Sequence, residues 1–237
     1  MTRLARSLGE LAIANPHDEA TWLELHRQLV AENALEDGMV YLQVTRGNPG
    51  DRDFAFPPKE LPPTVVMFTQ SKPGLADNPA AQTGWKVCTL PDIRWHRRDI
   101  KTVQLLYPSM AKMEAKAKGC DDAWLVEDGF VTEGTSNNAY IVAGGAIVTR
   151  TLSHDILHGI TRAAVLRLAR EAQMTVEERN FTVAEAQAAD EAFITSASAF
   201  VMPVVEIDGA TLGDGTPGKL ARRLREIYLE ESRKTAV

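Results

Sequence analysis

Two residues define the chemistry open to this chain, Lys101 and Glu133. Lys101 closes the run Asp92-Ile93-Arg94-Trp95-His96-Arg97-Arg98-Asp99-Ile100-Lys101, so its amine follows three arginines. Glu133 lies in Val131-Thr132-Glu133-Gly134-Thr135-Ser136-Asn137-Asn138, a polar stretch between two apolar segments. Nearby cations and desolvation favour a neutral amine, whose lone pair can then attack a carbonyl carbon. A carboxylate in a polar pocket can keep a ring nitrogen protonated. Together they are the two groups that pyridoxal 5′-phosphate chemistry requires, since a protonated ring withdraws electrons from the substrate Cα. Taken singly, a lysine at a helix start is usually a surface lysine, and a turn glutamate is usually an exposed one.

A phosphate-bearing cofactor also needs a cradle. Gly159-Ile160-Thr161-Arg162 opens a helix, where free N–H groups and the helix dipole attract an anion. Thr161 would add a hydroxyl, or serve as a plain N-cap. Thr195-Ser196-Ala197-Ser198 follows an apolar segment and offers more hydroxyl and N–H donors.

The elements that must position these groups are legible from periodicity. Residues 2–14 and 18–33 read as helices broken at Asn15-Pro16, followed by strands over 39–45 and 64–69. Residues 71–84 read as a loop joining a smaller subdomain (1–70) to a larger one (85–237). The larger one opens with a strand over 85–90 and a helix over 102–118 ending at Gly119. Hairpins turn at Asp128-Gly129 and Gly144-Gly145. A helix over 159–172 should bury Ile160, Ala164, Leu168 and Ala172. A strand over 176–179, a short helix over 183–189 and a buried strand over 192–195 follow. Residues 201–207, interrupted by Pro203, read as an edge or irregular strand, and 218–232 as a closing amphipathic helix. Hairpins alternating with single helices indicate α+β with mixed sheets.

The composition excludes several classes. A net charge of −6 argues against a nucleic-acid binder. No apolar run approaches a membrane span, and the N-terminus reads as an amphipathic helix rather than a leader. Cys88 and Cys120 lack metal spacing and read as buried thiols in a reducing cytoplasm. His154 and His158 read as loop residues rather than a zinc pair. Trp95 reads as core packing ahead of a wall of the site. The run Arg222-Arg223-Leu224-Arg225 reads as a solvated helix face.

Several motifs carry a resemblance along nearly the whole chain. Tyr41-Leu42-Gln43-Val44-Thr45-Arg46-Gly47, Asp92-Ile93-Arg94-Trp95, Asp99-Ile100-Lys101, Thr132-Glu133-Gly134-Thr135-Ser136-Asn137-Asn138 and Gly159-Ile160-Thr161-Arg162 resemble the fold type IV pyridoxal phosphate enzymes. That class holds D-amino acid transaminases, branched-chain aminotransferases and aminodeoxychorismate lyases, and the first motif resembles the D-amino acid branch most closely. The resemblance implies a two-subdomain α+β fold and a homodimer. It makes Lys101 the Schiff-base lysine and Glu133 the partner of the pyridine nitrogen. Ile160 and Thr161 would bind phosphate, Leu157 would pack behind the ring, and Arg3 would match a phosphate-binding arginine. Arg52, in Arg52-Asp53-Phe54, would trap the substrate carboxylate; without the resemblance it reads as a solvated partner of Asp51 and Asp53. Phe54 replaces a histidine that assists this arginine in some members. Ala197 stands where a phosphate-binding threonine often stands, leaving Ser196, Ser198 and the backbone to substitute. The resemblance also implies an N-terminal family segment ahead of Arg3, so residues 1–70 read as a truncated subdomain.

The implied activity is transfer of an amino group between a D-amino acid and a 2-oxo acid. A branched-chain L-aminotransferase and an aminodeoxychorismate lyase are the alternatives within the family. A catalytically inactive remnant kept as an interaction fold is the alternative of another class.

Overall fold

The computed structural model describes residues 1–234, which form two compact units, Met1–Leu75 and Ala76 onward. In the first unit, helices α1 (Thr2–Glu10) and α2 (Glu19–Glu32) precede strands β1 (Gly38–Thr45) and β2 (Thr64–Ser71). Helix α1 stops short of the expected residue 14. Ala12 takes a positive φ of 50°, and Arg46 donates to the carbonyls of Leu11 and Ala12. Those carbonyls are satisfied from outside the helix, so it has no reason to continue. Asp18 caps α2 by accepting the Thr21 N–H at 2.8 Å. Strands β1 and β2 pair antiparallel, and the opposed Tyr41 and Phe68 stack with ring centroids 4.7 Å apart.

The second unit begins with a short helix, α3 (Ala80–Thr83), inside the segment expected to be loop throughout. It continues with β3 (Trp85–Pro91), α4 (Leu106–Ala117), β4 (Asp122–Glu127), β5 (Phe130–Gly134), β6 (Asn138–Ala143) and β7 (Ala146–Thr149). Then come α5 (Ile160–Glu171), β8 (Val176–Glu178), α6 (Val183–Gln187), β9 (Glu191–Ser196), β10 (Phe200–Ile207), β11 (Ala210–Thr211) and α7 (Lys219–Lys234). Among the described residues the strands form one nine-stranded mixed sheet in the order β5-β4-β3-β10-β9-β6-β7-β8, with β11 on β10.

Alternation along the strands divides the core between two faces. Cys88, Leu90, Ala123 and Leu125 pack with Ala111 and Ala115 of α4. Tyr140, Val142, Phe193 and Val201 pack with Val165, Leu166 and Ala169 of α5 and with Ala221 and Leu224 of α7. The opposite residues, Val87, Trp124, Ile141, Ile194 and Met202, meet Phe181 and Ala186 on the other face.

Four further expectations are corrected. Helix α4 starts at Leu106 rather than 102, because Pro108 is tolerated only in a first turn. That leaves 101–105 as irregular chain carrying Lys101. Strand β10 is interior rather than an edge, pairing β9 and β3, and is irregular, as the alternative reading expects, with a register shift between Val204 and Glu206; its ladder to β3 begins only at Val204, beyond the proline that cannot donate. Ile160 is exposed, and the buried face of α5 is instead Thr161, Arg162, Val165, Leu166, Leu168 and Ala169. Trp95 is exposed rather than in the core.

The basic run on α7 is only partly a solvated face. Arg225 is buried and donates to the carbonyls of Ala199 and Val201, each at 2.8 Å, and of Ala76 at 2.7 Å. Burial pushes this guanidinium below its ordinary value, with Asp77 opposing. Replacing Arg225 with Met keeps the bulk but leaves three carbonyls without their donor. Urea unfolding of Arg225→Met should show a loss of about 2–3 kcal/mol.

Candidate active site

The turn after β5 determines where the polar motif goes. Gly134 has no Cβ because Asn137 Oδ1 fills the place where one would sit. Asn137 donates to Asp122 at 2.5 Å, as does Thr135, so the turn is tied to the start of β4. Glu133, at the end of β5, is therefore buried, in line with the polar-pocket reading of its motif.

Three donors hold the Glu133 carboxylate. Arg94 Nη1 reaches Oε1 at 2.8 Å, while Asn138 Nδ2 and the Leu157 N–H reach Oε2, each at 3.0 Å. Asn138 also donates to the Leu157 carbonyl at 3.0 Å. Burial pushes the Glu133 carboxyl above the usual range, against the pull of Arg94 and the Leu157 N–H. The reason lies in how Arg94 divides its donors. Its Nε and Nη2 form a fork on Asp92 at 2.9 and 2.6 Å, leaving only Nη1 for Glu133. Burial works to raise Asp92, but Arg94, Thr132 and Arg98 together hold it below the usual range. Burial opposes the charge on Arg94 as well, yet Asp92 and Glu133 hold it above its ordinary value.

The arginines before Lys101 are each engaged with carboxylates. Arg94 serves Asp92 and Glu133, Arg97 lies on Asp99, and Arg98 forms a fork on Glu127 at 2.7 and 2.8 Å. They anchor the chain on which Lys101 is carried. Arg98, Asp99 and Ile100 are buried, and Lys101 directly after them is exposed. The Arg98 N–H donates to the His154 carbonyl at 2.9 Å, tying this segment to the loop that leads into α5.

That loop delivers the candidate anion cradle. Gly159 is the N-cap of α5 and supplies no side-chain acceptor, so the first N–H groups of the helix have no side-chain cap. A Cβ at Gly159 would collide with Asn138 Oδ1, so the close approach needs glycine. Thr161 is not the cap. It is 3% exposed, and its hydroxyl has no hydrogen-bond partner. A buried hydroxyl left unpaired at an uncapped helix start is what a site for an external anion presents. Thr195 pairs in register with Asn138, which puts the Ser196-Ala197 turn at the same end of the sheet. The Ser196 hydroxyl accepts the Ala199 N–H at 3.0 Å, and Ala197 is exposed.

Sheet pairing and this loop therefore bring together Glu133, Leu157, Ile160, Thr161, Ser196 and Ala197, with the Lys101 segment tied to the same loop. Arg3, Arg52 and Phe54 belong to the first unit. Arg3 lies on α1, where burial pushes its guanidinium below the ordinary value. Arg52 stands 4.7 Å over the ring of Phe54, which is exposed. Sequence reasoning missed Arg94 and Asn138 as partners of Glu133, and Asp92 as the carboxylate that holds Arg94. One signal was available: the Arg94 N–H closes an Asx turn on Asp92, a two-residue spacing visible in Asp-Ile-Arg. Among the described residues no cluster of His, Cys, Asp and Glu could hold a metal, and no helix is long and apolar enough to cross a membrane.

Comparison with known proteins gives a consistent set of relatives. The family model for Amino-transferase class IV matches residues 1–207. A D-alanine aminotransferase of Bacillus licheniformis is 39% identical over 99% of this chain and 83% of its own length. One of Staphylococcus aureus is 36% identical over 95% and 79%. Among solved structures, the PLP form of a branched-chain amino acid aminotransferase from Thermobaculum terrenum superposes with a TM-score of 0.83 at 25% identity, covering 99% of this chain and 77% of that one. The Escherichia coli branched-chain enzyme gives 0.87 at 21% identity, over 97% and 77%, a likeness of fold.

Two buried threonines of this site, Thr132 and Thr161, should respond oppositely to loss of a hydroxyl. Thr132 donates to Asp92 at 2.7 Å, so Thr132→Val should cost about 1–3 kcal/mol in the ligand-free protein. Thr161→Val forfeits no bond and should leave the melting temperature unchanged or raise it. Thermal unfolding of both variants checks the contrast.

Proposed function

The chain belongs to the amino-transferase class IV family, whose members are pyridoxal 5′-phosphate enzymes, and on that premise we propose that it exchanges an amino group between a D-amino acid such as D-alanine and a 2-oxo acid. The observation that carries the chemistry is Glu133, a buried carboxyl held by one guanidinium donor and joined through Leu157 to an uncapped helix start. Such a carboxyl accommodates one more positive group, as a protonated ring nitrogen is. The substrate class follows the D-alanine aminotransferase relatives; the branched-chain enzymes are similar in fold at lower identity.

When bound, pyridoxal phosphate supplies the electron sink for the pair left at Cα after proton loss. The remaining work falls to the chain. Lys101 would hold the cofactor through Nζ and, once its amine is free, would carry the proton taken from the substrate Cα. Glu133 keeps the proton on the ring nitrogen. The first N–H groups of α5 and the Thr161 hydroxyl receive the phosphate, with Ser196 and the backbone at Ala197 beside them. Leu157 backs the ring. Arg3 and Arg52, in the first unit, are carried over from the family resemblance as anion-binding residues, a guanidinium binding such groups with paired donors. Phe54 flanks Arg52.

A second copy of this chain is the proposed partner. On α4, Leu106, Met110 and Met113 form an exposed stripe at helical spacing, next in sequence to exposed Val103 and Leu105. The cytoplasmic setting is carried over from the reading of Cys88 and Cys120 as thiols; Cys88 is buried and Cys120 only partly so.

Borohydride reduction in the presence of pyridoxal phosphate should attach the cofactor to Lys101, and Lys101→Ala should lose both this label and all turnover. Retained transamination by that variant would defeat the assignment. Parallel assays with D-alanine, L-leucine and aminodeoxychorismate should show turnover of D-alanine well above the other two; a preference for either of them moves the chain to another branch. Light scattering should give twice the 26.0 kDa chain mass, and Met110→Glu should lower it.

A further inference from the structure

The Glu133 carboxylate has about four lone-pair positions. Asn138 and the Leu157 N–H occupy both positions on Oε2, and Arg94 occupies one on Oε1. The remaining acceptor position is therefore on Oε1, the oxygen that Arg94 already holds. Arg94 in turn is fixed from two sides. Asp92 takes its Nε and Nη2, and the Arg94 carbonyl accepts Arg98 Nη2 at 3.2 Å. Arg98 lies 3.5 Å from Asp92 and donates its main-chain N–H to His154. An unbroken chain of charged contacts thus runs from Glu133 through Arg94 and Asp92 to the segment that ends in Lys101.

We propose that Arg94 is a positioning residue for the amino-transfer reaction: it shares Oε1 of Glu133 with the ring nitrogen of the bound cofactor and, under the control of Asp92, sets how strongly Glu133 holds the shared proton. This rests on the reading of Glu133 as the ring-nitrogen partner. The charged groups facing Glu133 are Arg94 and, behind it, Asp92; β6 contributes neutral Asn138 and the loop before α5 contributes the Leu157 N–H. Removing the positive charge of Arg94 raises the proton affinity of Glu133, so the proton moves from ring nitrogen to carboxyl. Removing the negative charge of Asp92 leaves Arg94 more positive toward Glu133 and moves it the other way.

The test is pyridoxal phosphate affinity, followed by cofactor absorbance between about pH 5.5 and 9, with kcat and KM for D-alanine. In Arg94→Gln the low-pH limb of cofactor affinity should move up by about 1–3 pH units. Its kcat should fall at least tenfold with KM little changed. Arg94→Lys, which keeps the charge, should recover most of the limb position. Asp92→Asn should move the limb down. A merely structural Arg94 would lower the melting temperature and leave the limb of Asp92→Asn where the unmodified protein has it. That outcome overturns the inference even where Arg94→Gln fails to fold. Failure of the unmodified protein to bind pyridoxal phosphate would instead sink the reading of Glu133, so the two failures are distinguishable.

Discussion

The burial of one carboxylate governs this site. Removing Glu133 from water is costly, and the structure offsets that cost with a guanidinium, a side-chain amide and a main-chain N–H from three separate stretches of chain. Each donor imports a constraint. Arg94 brings Asp92 and through it Arg98 and Glu127; Asn138 brings the start of β6; Leu157 brings the loop that positions α5. The carboxylate is thereby the knot that joins these stretches of chain.

The same principle explains why the cations before Lys101 have another role than their spacing suggests. Cations along an extended stretch look like a local field on the amine. In the fold, acidic partners come from β4, β5 and the loop itself, and each arginine is matched to a carboxylate. Buried guanidiniums without such partners would be expensive. The arginines hold the backbone just before Lys101, while its side chain stays accessible at the start of irregular chain. Pro108 keeps that chain irregular by delaying helix α4.

Other groups show the division between a donor that is satisfied and one that waits. Arg225 and Ser196 spend their bonds on the turn after β9, which stiffens it. Thr161 makes none, although it is buried. Gly134 and Gly159 each admit an asparagine oxygen where a Cβ would stand, so the two asparagines that tie β5, β6 and the α5 loop together can approach the backbone.

Local sequence was enough for much of the fold. The hairpins at Asp128-Gly129 and Gly144-Gly145 depend on residues that accept positive φ, and those pairs adopt it. The start of α5 at Gly159 and the polar motif around Glu133 were also visible, because glycine, threonine and asparagine carry their backbone preferences with them. Sheet order was not, since strand pairing is set by contacts distant in sequence; β10 looks like an edge because of Pro203, yet lies between β9 and β3. Nor could spacing show that Arg94 faces Glu133 from 39 positions away, or that Arg225 turns inward from a charged helix. The chain by itself determined which chemical groups are available and which turns they occupy. Only the tertiary structure decided which charges meet, because the cost of burying a charge is settled by partners that folding brings from elsewhere.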